Sequence, residues 1–272
     1  MLKEITIGQF FPGNSLLHKL DPRMKILLTI AYIAMVFIPR NWAGLAVTAV
    51  FLAVVYALSR LPVMLIFKSI RPIIPVVLLT AGLSALYVQG EGEPLVAWWI
   101  IKIHLEGIYN AIFLAIRIVC LIVGSSLLTY TTGPTTLTDA LERLMKPLKL
   151  IRVPVHELAM MMTIALRFIP TLIEETDKIM SAQKARGADM EGGNLIQRIR
   201  ALMPIMIPLF VSSFRRAYEL ATAMECRCYN GGDGRTRMIR LHLAARDFAA
   251  LTVMIVIIGG MIALNFVMPP VI

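Results

Sequence analysis

Five apolar segments, separated by stretches rich in charge, glycine or proline, divide the chain into alternating hydrophobic and polar blocks. They are Met24 to Ile38, Trp42 to Leu58, Ile73 to Val88, Ile108 to Tyr130 and Phe248 to Met268. The last two reach the roughly 20 residues that cross a bilayer as a helix, and the first three must tilt or recruit flanking residues. The pattern predicts an all-α polytopic membrane protein with about five transmembrane helices.

The composition supports insertion into a membrane. Hydrophobic residues make up 58% of the chain and charged residues 16%, whereas soluble domains carry roughly 25% charged residues. The 27 basic residues exceed the 17 acidic ones, which could indicate nucleic-acid binding. Membrane proteins also accumulate Lys and Arg in cytoplasmic loops, so we expect the lipid bilayer, and no nucleic acid, as a partner.

The distribution of Lys and Arg among the short loops predicts the orientation. The N-terminal stretch and the loop from Ser59 to Pro72 are rich in these residues, and the two alternate loops are poor in them. The basic positions concerned are Lys3, Lys19, Arg23, Lys25, Arg60, Lys68 and Arg71. We therefore expect a cytoplasmic N-terminus, an extracellular C-terminus and an interfacial segment, Pro94 to Ile103, on the outer side.

A long polar segment separates the fourth and fifth spans. It carries 17 of the 27 basic residues and is predicted to be cytoplasmic. The expected organisation is residues 1–130 for the N-terminal tail and first four spans, 131–246 for the cytoplasmic helical segment, and 247–272 for the fifth span. Apolar periodicity within the segment predicts amphipathic helices over Val153 to Leu172 and Leu195 to Tyr229. Pro204 and Pro208 are expected to bend or divide the second pattern.

A short internal repeat follows both helical patterns. Ser181 to Gly187 and Thr222 to Cys228 each contain a small hydroxyl residue, an alanine, a charge, and an arginine between small residues. Each copy ends a helical run before glycine. Arg186 and Arg227 could cap helix carbonyls, but an arginine between small neighbours can also enter a partner's groove and pair with carboxylates. The repetition favours two docking sites.

Sequence motifs for catalysis and metal binding are missing. The chain has no phosphate-binding P-loop, nucleophile elbow or paired-histidine metal motif, so an enzyme is not expected. Three cysteines and four scattered histidines match no zinc-site spacing, so no metal is expected. Apart from Lys25 at the start of the first span, Arg117 is the only charged residue in the five spans, and structural pairing is its favoured role.

The N-terminal sequence Leu17-His18-Lys19-Leu20-Asp21-Pro22-Arg23-Met24-Lys25 has a local interpretation. Asp21 is expected to cap a helix that begins with Pro22, and Arg23 and Lys25 to keep that helix end inside. Together with the two arginine motifs, this sequence strongly resembles the transmembrane T component, EcfT, of energy-coupling factor transporters. The resemblance covers essentially the whole chain.

The resemblance implies a coupling subunit with two ABC-type ATPases beneath it and a substrate-binding S component beside it. In that family two Ala-Arg-Gly motifs dock the ATPases. Their counterparts here are Ala185, Arg186 and Gly187, which match fully, and Cys226, Arg227 and Cys228, which keep only the arginine. ATP would be bound by the partners, so no cofactor is expected in this chain. The expected cargo is a vitamin or transition-metal ion selected by the S component.

Two other classes of function compete with coupling. A self-sufficient secondary transporter would need interrupted helices and an inverted repeat, which the spans do not clearly show. A membrane scaffold could instead adhere to anionic lipid through its basic amphipathic helices. Co-purification of an ATPase pair would favour coupling over both.

Overall fold

The computed structural model describes residues 10–87, 96–98, 101–187, 195–232 and 241–267. The regular secondary structure of these residues is helical apart from one small antiparallel hairpin. The N-terminal elements are α1 (Pro22–Phe37), α2 (Trp42–Ser59), α3 (Met64–Ile70) and α4 (Ile74–Tyr87), then β1 (Val96–Trp98) and β2 (Ile101–Ile103). The later helices are α5 (Leu105–Thr131), α6 (Pro134–Leu144), α7 (Val155–Ala185), α8 (Leu195–Cys226) and α9 (Ala245–Val267).

Five helical stretches are long and apolar enough to cross a membrane: Trp42–Ser59, Met64–Leu86, Leu105–Thr131, Val155–Ala185 and Ala245–Val267. Four coincide with predicted spans, and the fifth, Val155–Ala185, lies in the segment predicted to be cytoplasmic. The predicted first span is α1, whose 16 residues extend only about 24 Å. The all-α polytopic class is therefore confirmed, while a helix of this length must use flanking residues to cross the roughly 30 Å hydrocarbon layer.

The third span begins earlier than predicted. Helix α3 and a 3-10 turn over Arg71–Ile73 lead directly into α4, so part of the expected loop from Ser59 to Pro72 is helical. Pro72 occupies the first turn of that 3-10 helix, where its missing N–H costs no hydrogen bond. The ends predicted at Val88 and Met268, and part of the predicted interfacial segment, lie outside the described residues.

The chain forms two compact units. One contains residues 8–137 and 241–272, and the other contains residues 138–240. In the first unit, α5 packs against α1, α2, α3 and α4, while α9 packs against α1 and α2. Because lipid is as apolar as the helix surfaces, close packing and interhelical hydrogen bonds must hold these helices together.

Close packing is tightest where α1 crosses α5. Gly124 lies so near the Tyr32 ring that a Cβ atom there would be 2.0 Å from Tyr32 Cε1. The Tyr32 hydroxyl donates a 2.8 Å hydrogen bond to the carbonyl of Cys120. Tyr32 also belongs to a buried cluster that includes Met35 of α1 and Met254 and Met261 of α9. A small residue on α5 thus permits the approach that buries this tyrosine.

Arg117, which the sequence analysis left without a named partner, lies in the first unit at the α1–α2 turn. Its guanidinium donates to the Pro39 carbonyl and lies 4.7 Å from the centre of the Phe113 ring. Asn265 of α9 holds the same turn by donating to the Ile38 carbonyl at 2.7 Å and accepting from the Arg40 N–H at 3.3 Å. These contacts are structural pairing, the role favoured for Arg117.

Candidate docking site on two helix ends

The first arginine motif forms the C-terminal end of α7. Helix α7 ends at Ala185, and the N–H of Arg186 donates to the Ala182 carbonyl at 3.2 Å. Gly187 follows with a φ of +84° and donates to the Lys184 carbonyl at 3.0 Å. A left-handed residue directly after a helix satisfies the last carbonyls, and glycine adopts that conformation without a Cβ penalty.

The second motif closes α8 with the same backbone conformation. The helix ends at Cys226. The backbone N–H of Arg227 donates to the Met224 carbonyl at 3.1 Å, and the backbone N–H of Cys228 donates to the Glu225 carbonyl at 2.9 Å. The N–H of Tyr229 reaches back to the Met224 carbonyl at 3.0 Å, which completes a Schellman motif.

Cys228 therefore takes the position that Gly187 takes in the first motif. Its φ is +55°, and a non-glycine residue in this region costs roughly 1–2 kcal/mol. The glycine-to-cysteine departure from the family pattern leaves the backbone of the helix end intact at a cost in stability. Both motifs thus present their arginine one residue before a left-handed turn.

Both arginine side chains point away from the protein. Arg186 and Arg227 are exposed, as are the flanking residues Ala185, Gly187, Cys226 and Cys228. Within the described part of the chain, neither guanidinium makes a hydrogen bond or an ion pair. A guanidinium has five donors in a planar fork, so each helix end presents an unused site for a carboxylate or carbonyl partner.

Helices α7 and α8 lie side by side and antiparallel. Contacts further along α7 are made with residues that lie earlier in α8. His156 lies against Gly232, Glu175 contacts Ser212 and Arg216, and Gln183 donates to the Pro204 carbonyl at 3.4 Å. The two arginine-bearing ends therefore lie at opposite ends of the helix pair rather than side by side.

Of the two outcomes predicted for Pro204 and Pro208, bending or dividing the second pattern, division is wrong. Helix α8 runs without a break from Leu195 to Cys226 and contains both prolines. Helix α7 is likewise longer than the predicted Val153 to Leu172, because it continues through Pro170 to Ala185. Packing of the two helices along their length outweighs the local cost of a proline in a helix interior.

An ionic contact ties the two helices near their middle. Arg216 donates to Glu175 through Nε at 3.2 Å and Nη2 at 2.9 Å, and the Ser212 hydroxyl donates to the same carboxylate. The hydrogen bond from Ser212, followed by those from Arg216, lowers the pKa of Glu175 because both favour the charged carboxylate. Glu175 lies in the charged C-terminal part of α7, beyond its apolar stretch.

A second contact lies at the end of the pair where α7 begins. Nδ1 of His156 is 3.1 Å from the Glu142 carboxylate of α6. The other side of the imidazole ring lies against Gly232, where a Cβ atom would be 2.2 Å from His156 Cδ2. The turn after the Arg227 motif is therefore held against the first turn of α7, and a larger residue than glycine there would have to displace the His156 ring.

Helix α8 also exposes an apolar stripe. Its members recur every fourth residue, so they lie along one face of the helix: Leu202, Met206, Phe210, Phe214 and Tyr218. Phe214 is 74% exposed. Such a row of large apolar side chains is typical of a surface that contacts lipid or another protein.

The N-terminal motif begins α1 as predicted. Asp21 is the N-cap, and its carboxylate accepts a 2.9 Å hydrogen bond from the Arg23 N–H. Pro22 occupies the first helical position. Arg23 and Lys25 are predicted to keep this helix end inside, and Lys25 has a further role: it is 7% exposed and donates hydrogen bonds to neighbouring segments.

No group of three or more potential metal ligands occurs among the described residues. Cys226 and Cys228 are exposed and Cys120 is buried, and all three are free thiols. The described residues therefore present an interaction site made of helix ends, without a visible centre for metal chemistry.

The fold and the exposed helix ends define a multi-pass helical membrane protein with a second helical unit suited to binding partners. Residues 13–238 match the CbiQ family, described as cobalt transport protein. The energy-coupling factor transporter transmembrane protein EcfT of Clostridium kluyveri is 55% identical over 250 residues, covering 92% of this chain and 93% of that protein. The EcfT protein of Thermosediminibacter oceani is 48% identical, covering 98% of this chain and 98% of that protein. The EcfT protein of Bacillus subtilis is 44% identical, covering 94% of this chain and 97% of that protein.

The chain therefore belongs to the family of EcfT proteins, the transmembrane components of energy-coupling factor transporters. The resemblance found in the sequence is confirmed.

Proposed function

We propose that this chain couples ATP hydrolysis by two ABC-type ATPases to movement of a membrane-embedded S component, without catalysing a reaction itself. The observation that carries this proposal is the pair of exposed arginine-bearing helix ends, alike in backbone conformation and placed at opposite ends of an antiparallel helix pair. Two similar ATPase subunits need two similar docking points that lie well apart. The α7–α8 helix pair supplies both.

In this proposal Arg186 docks one ATPase and Arg227 the other. Each guanidinium enters a groove lined with carboxylates or carbonyls, and the small neighbours Ala185, Gly187 and Cys226 allow a close approach. ATP-driven closure of the ATPases draws the two helix ends together. Because α7 and α8 are tied at Glu175 and Arg216, the pair acts as a lever that pivots at this contact between two states, and the change of angle brings the two ends closer.

The proposed S-component contact is the apolar stripe on α8. An S component that sits in the bilayer can reach an amphipathic helix at the membrane surface, and the large apolar side chains of the stripe would be covered by it. In this arrangement residues 131–246 are cytoplasmic, the N-terminus is cytoplasmic and the C-terminus is extracellular. The transported substrate is a vitamin or another micronutrient, chosen by the S component.

Charge reversal at the two docking arginines tests the proposal. Arg186→Glu and Arg227→Glu, separately and combined, should each weaken co-purification of the ATPases, and the double variant should abolish uptake. Arg215→Glu is the matched control, since Arg215 is an exposed arginine in the middle of α8. Unchanged ATPase co-purification and uptake in the double variant would refute docking through these residues.

The two competing functions give different outcomes in the same preparation. Substrate uptake by the purified chain alone in proteoliposomes would indicate a secondary transporter. Binding to anionic vesicles with no ATPase in fixed ratio would indicate a scaffold. Coupling predicts neither: uptake requires ATP, both ATPases and the S component.

A further inference from the structure

A cluster of buried charged residues lies where α1, α5 and α9 begin or end. Asp21 is 5% exposed, Lys25 is 7% exposed and Asp247 is 1% exposed. Buried charges are costly unless they are paired and hydrogen-bonded. We call these three residues, together with Arg23, the anchor cluster, and ask what its contacts hold together.

Asp247 fastens the start of α9 to the start of α1. One carboxylate oxygen, Oδ1, accepts from the Asp21 N–H at 2.8 Å. The other, Oδ2, accepts from the Ala244 N–H at 2.7 Å. A single buried side chain thus satisfies the backbone N–H of Asp21, 226 positions away in the chain, and that of Ala244 in its own segment. Asp247 lies one residue before the predicted fifth span, and its role was missed in the sequence analysis.

Arg23 adds a second bond to the same segment. Its Nη2 donates to the Leu241 carbonyl at 2.9 Å. Residues 241–247 are the stretch through which the chain returns from the second compact unit to α9. The return is therefore held at two points, by Arg23 and by Asp247.

The chain passes between the two compact units at two points, which we call the crossings. Lys25 holds the crossing through which the chain leaves the first unit. Its ammonium group donates to the Thr131 carbonyl at 2.9 Å and lies 3.3 Å from the Thr132 hydroxyl. A third bond, 3.2 Å long, goes to the His18 carbonyl. An ammonium has three donors, so this lysine has used all of them, and Asp247 and Asp21 attract its charge. Thr131 and Thr132 are the end of α5, just before the chain leaves for the second unit.

The two crossings therefore share one support. The chain leaves the first unit just after the residues held by Lys25 and returns through those held by Arg23 and Asp247. Arg23 and Lys25 lie in the first turn of α1, and Asp247 accepts from the N–H of its N-cap residue, Asp21. Among the described residues, the side-chain hydrogen bonds between the opposite end of α9 and the α1–α2 turn are neutral contacts of Asn41 and Asn265.

We infer that the anchor cluster transmits movement of the arginine-bearing helices to the membrane helices. It ties both crossings to α1, so that this movement shifts the membrane helices and is not absorbed by flexible connecting segments. Asp21, Arg23, Lys25 and Asp247 are positioning residues in this role. The inference rests on the proposed coupling function. It assigns to the Asp-Pro-Arg-x-Lys sequence a mechanical role beyond starting a helix and orienting it.

The test uses the complete complex of chain, ATPases and S component in proteoliposomes. Asp247→Asn keeps the shape of the side chain but removes the charge and puts an amide N–H near the Ala244 donor. Lys25→Met keeps the length and removes the three donors. For each variant, substrate uptake and ATP hydrolysis are measured together, and we expect uptake per ATP to fall at least fivefold while ATPase co-purification stays unchanged.

Asn265→Ala is the matched control, because it cuts the tie between the same helices, α9 and α1, at their other end. A merely stabilising role of the anchor cluster predicts that Asn265→Ala lowers uptake per ATP as much as Asp247→Asn does, and that result would overturn the inference. Hydrogen exchange of the amides of residues 131–137 and 241–247 gives a second readout. Faster exchange there with unchanged uptake per ATP would also overturn it.

Arg23→Gln covers the case in which the buried variants fail to assemble. Arg23 is only partly buried, and this change removes the bond to the Leu241 carbonyl and the 3.5 Å ion pair with Asp21, so the complex should assemble with a smaller, about twofold, loss of uptake per ATP. Wild-type uptake per ATP in Arg23→Gln would contradict the inference. If the wild-type chain itself binds no ATPase, the proposed function fails, which is a separate and distinguishable outcome.

Discussion

The antiparallel packing of α7 and α8 predicts a long distance between the two arginine-bearing ends. Lys184 and Glu225 each precede their arginine by two residues. The contacts between the helices place Glu225 opposite Thr163, about 21 residues along α7 from Lys184. With a rise of 1.5 Å per residue and a helix separation of roughly 9 Å, the two backbones are about 33 Å apart.

Spin labels provide the measurement. Lys184→Cys and Glu225→Cys are labelled in a chain that carries Cys226→Ser and Cys228→Ser, and the buried Cys120 is left in place. Pulsed electron–electron double resonance in detergent should give a distribution of label-to-label distances centred near 33 Å and broadened by the flexible linkers of the labels. In the full complex, ATP should shift this distribution to shorter distances if the helix ends are drawn together.

A label pair at Met161 and Lys184, both on α7, is the control for bending at Pro170, because its distance should not change with ATP. A main distance below about 20 Å for the Lys184 and Glu225 pair would mean that the helix ends lie side by side, and would refute the antiparallel arrangement. An unchanged distance with ATP would leave the geometry intact and refute the lever.

Three substitutions test the packing that supports this geometry, each by thermal unfolding of the purified protein. Gly124→Ala should destabilise by roughly 1–3 kcal/mol because its methyl overlaps the Tyr32 ring, and Tyr32→Phe in the same chain should not relieve the overlap. Gly232→Ala should cost about 1–2 kcal/mol by displacing the His156 ring, and combining it with a small residue at 156 should remove most of that cost. Cys228→Gly should stabilise by roughly 0.5–1 kcal/mol because φ there is +55°; a loss of stability would contradict the strain assigned to Cys228.

The predictions that came from local patterns agree with the structure. Asp21 and Pro22 begin α1 because an N-cap carboxylate and a preset φ act within three residues. The apolar segments are helices because a stretch of that length and hydrophobicity can satisfy its backbone in lipid in no other simple way. The ends of α7 and α8 follow the glycine and arginine signals of the repeat, including the left-handed residue after each arginine.

The predictions that failed or fell short depended on contacts distant in the chain. Two prolines do not divide α8, because its packing against α7 outweighs their local cost. Lys25 counts as an orienting charge when the loops are compared, yet it is buried and donates to the Thr131 carbonyl and the Thr132 hydroxyl, both more than a hundred positions away. Asp247 looked like an ordinary polar residue before a span, and only the return of the chain to α1 makes it a partner of Asp21.

The sequence by itself determined the membrane class, the family, the start of α1 and the two arginine motifs, since each depends on composition or on interactions a few residues apart. The tertiary structure decided that the two motifs lie at opposite ends of one helix pair, and that both crossings to that pair are held at the first turn of α1. Such arrangements depend on which distant surfaces fit together and on which buried charges find partners, and neither is encoded in any single stretch of the chain.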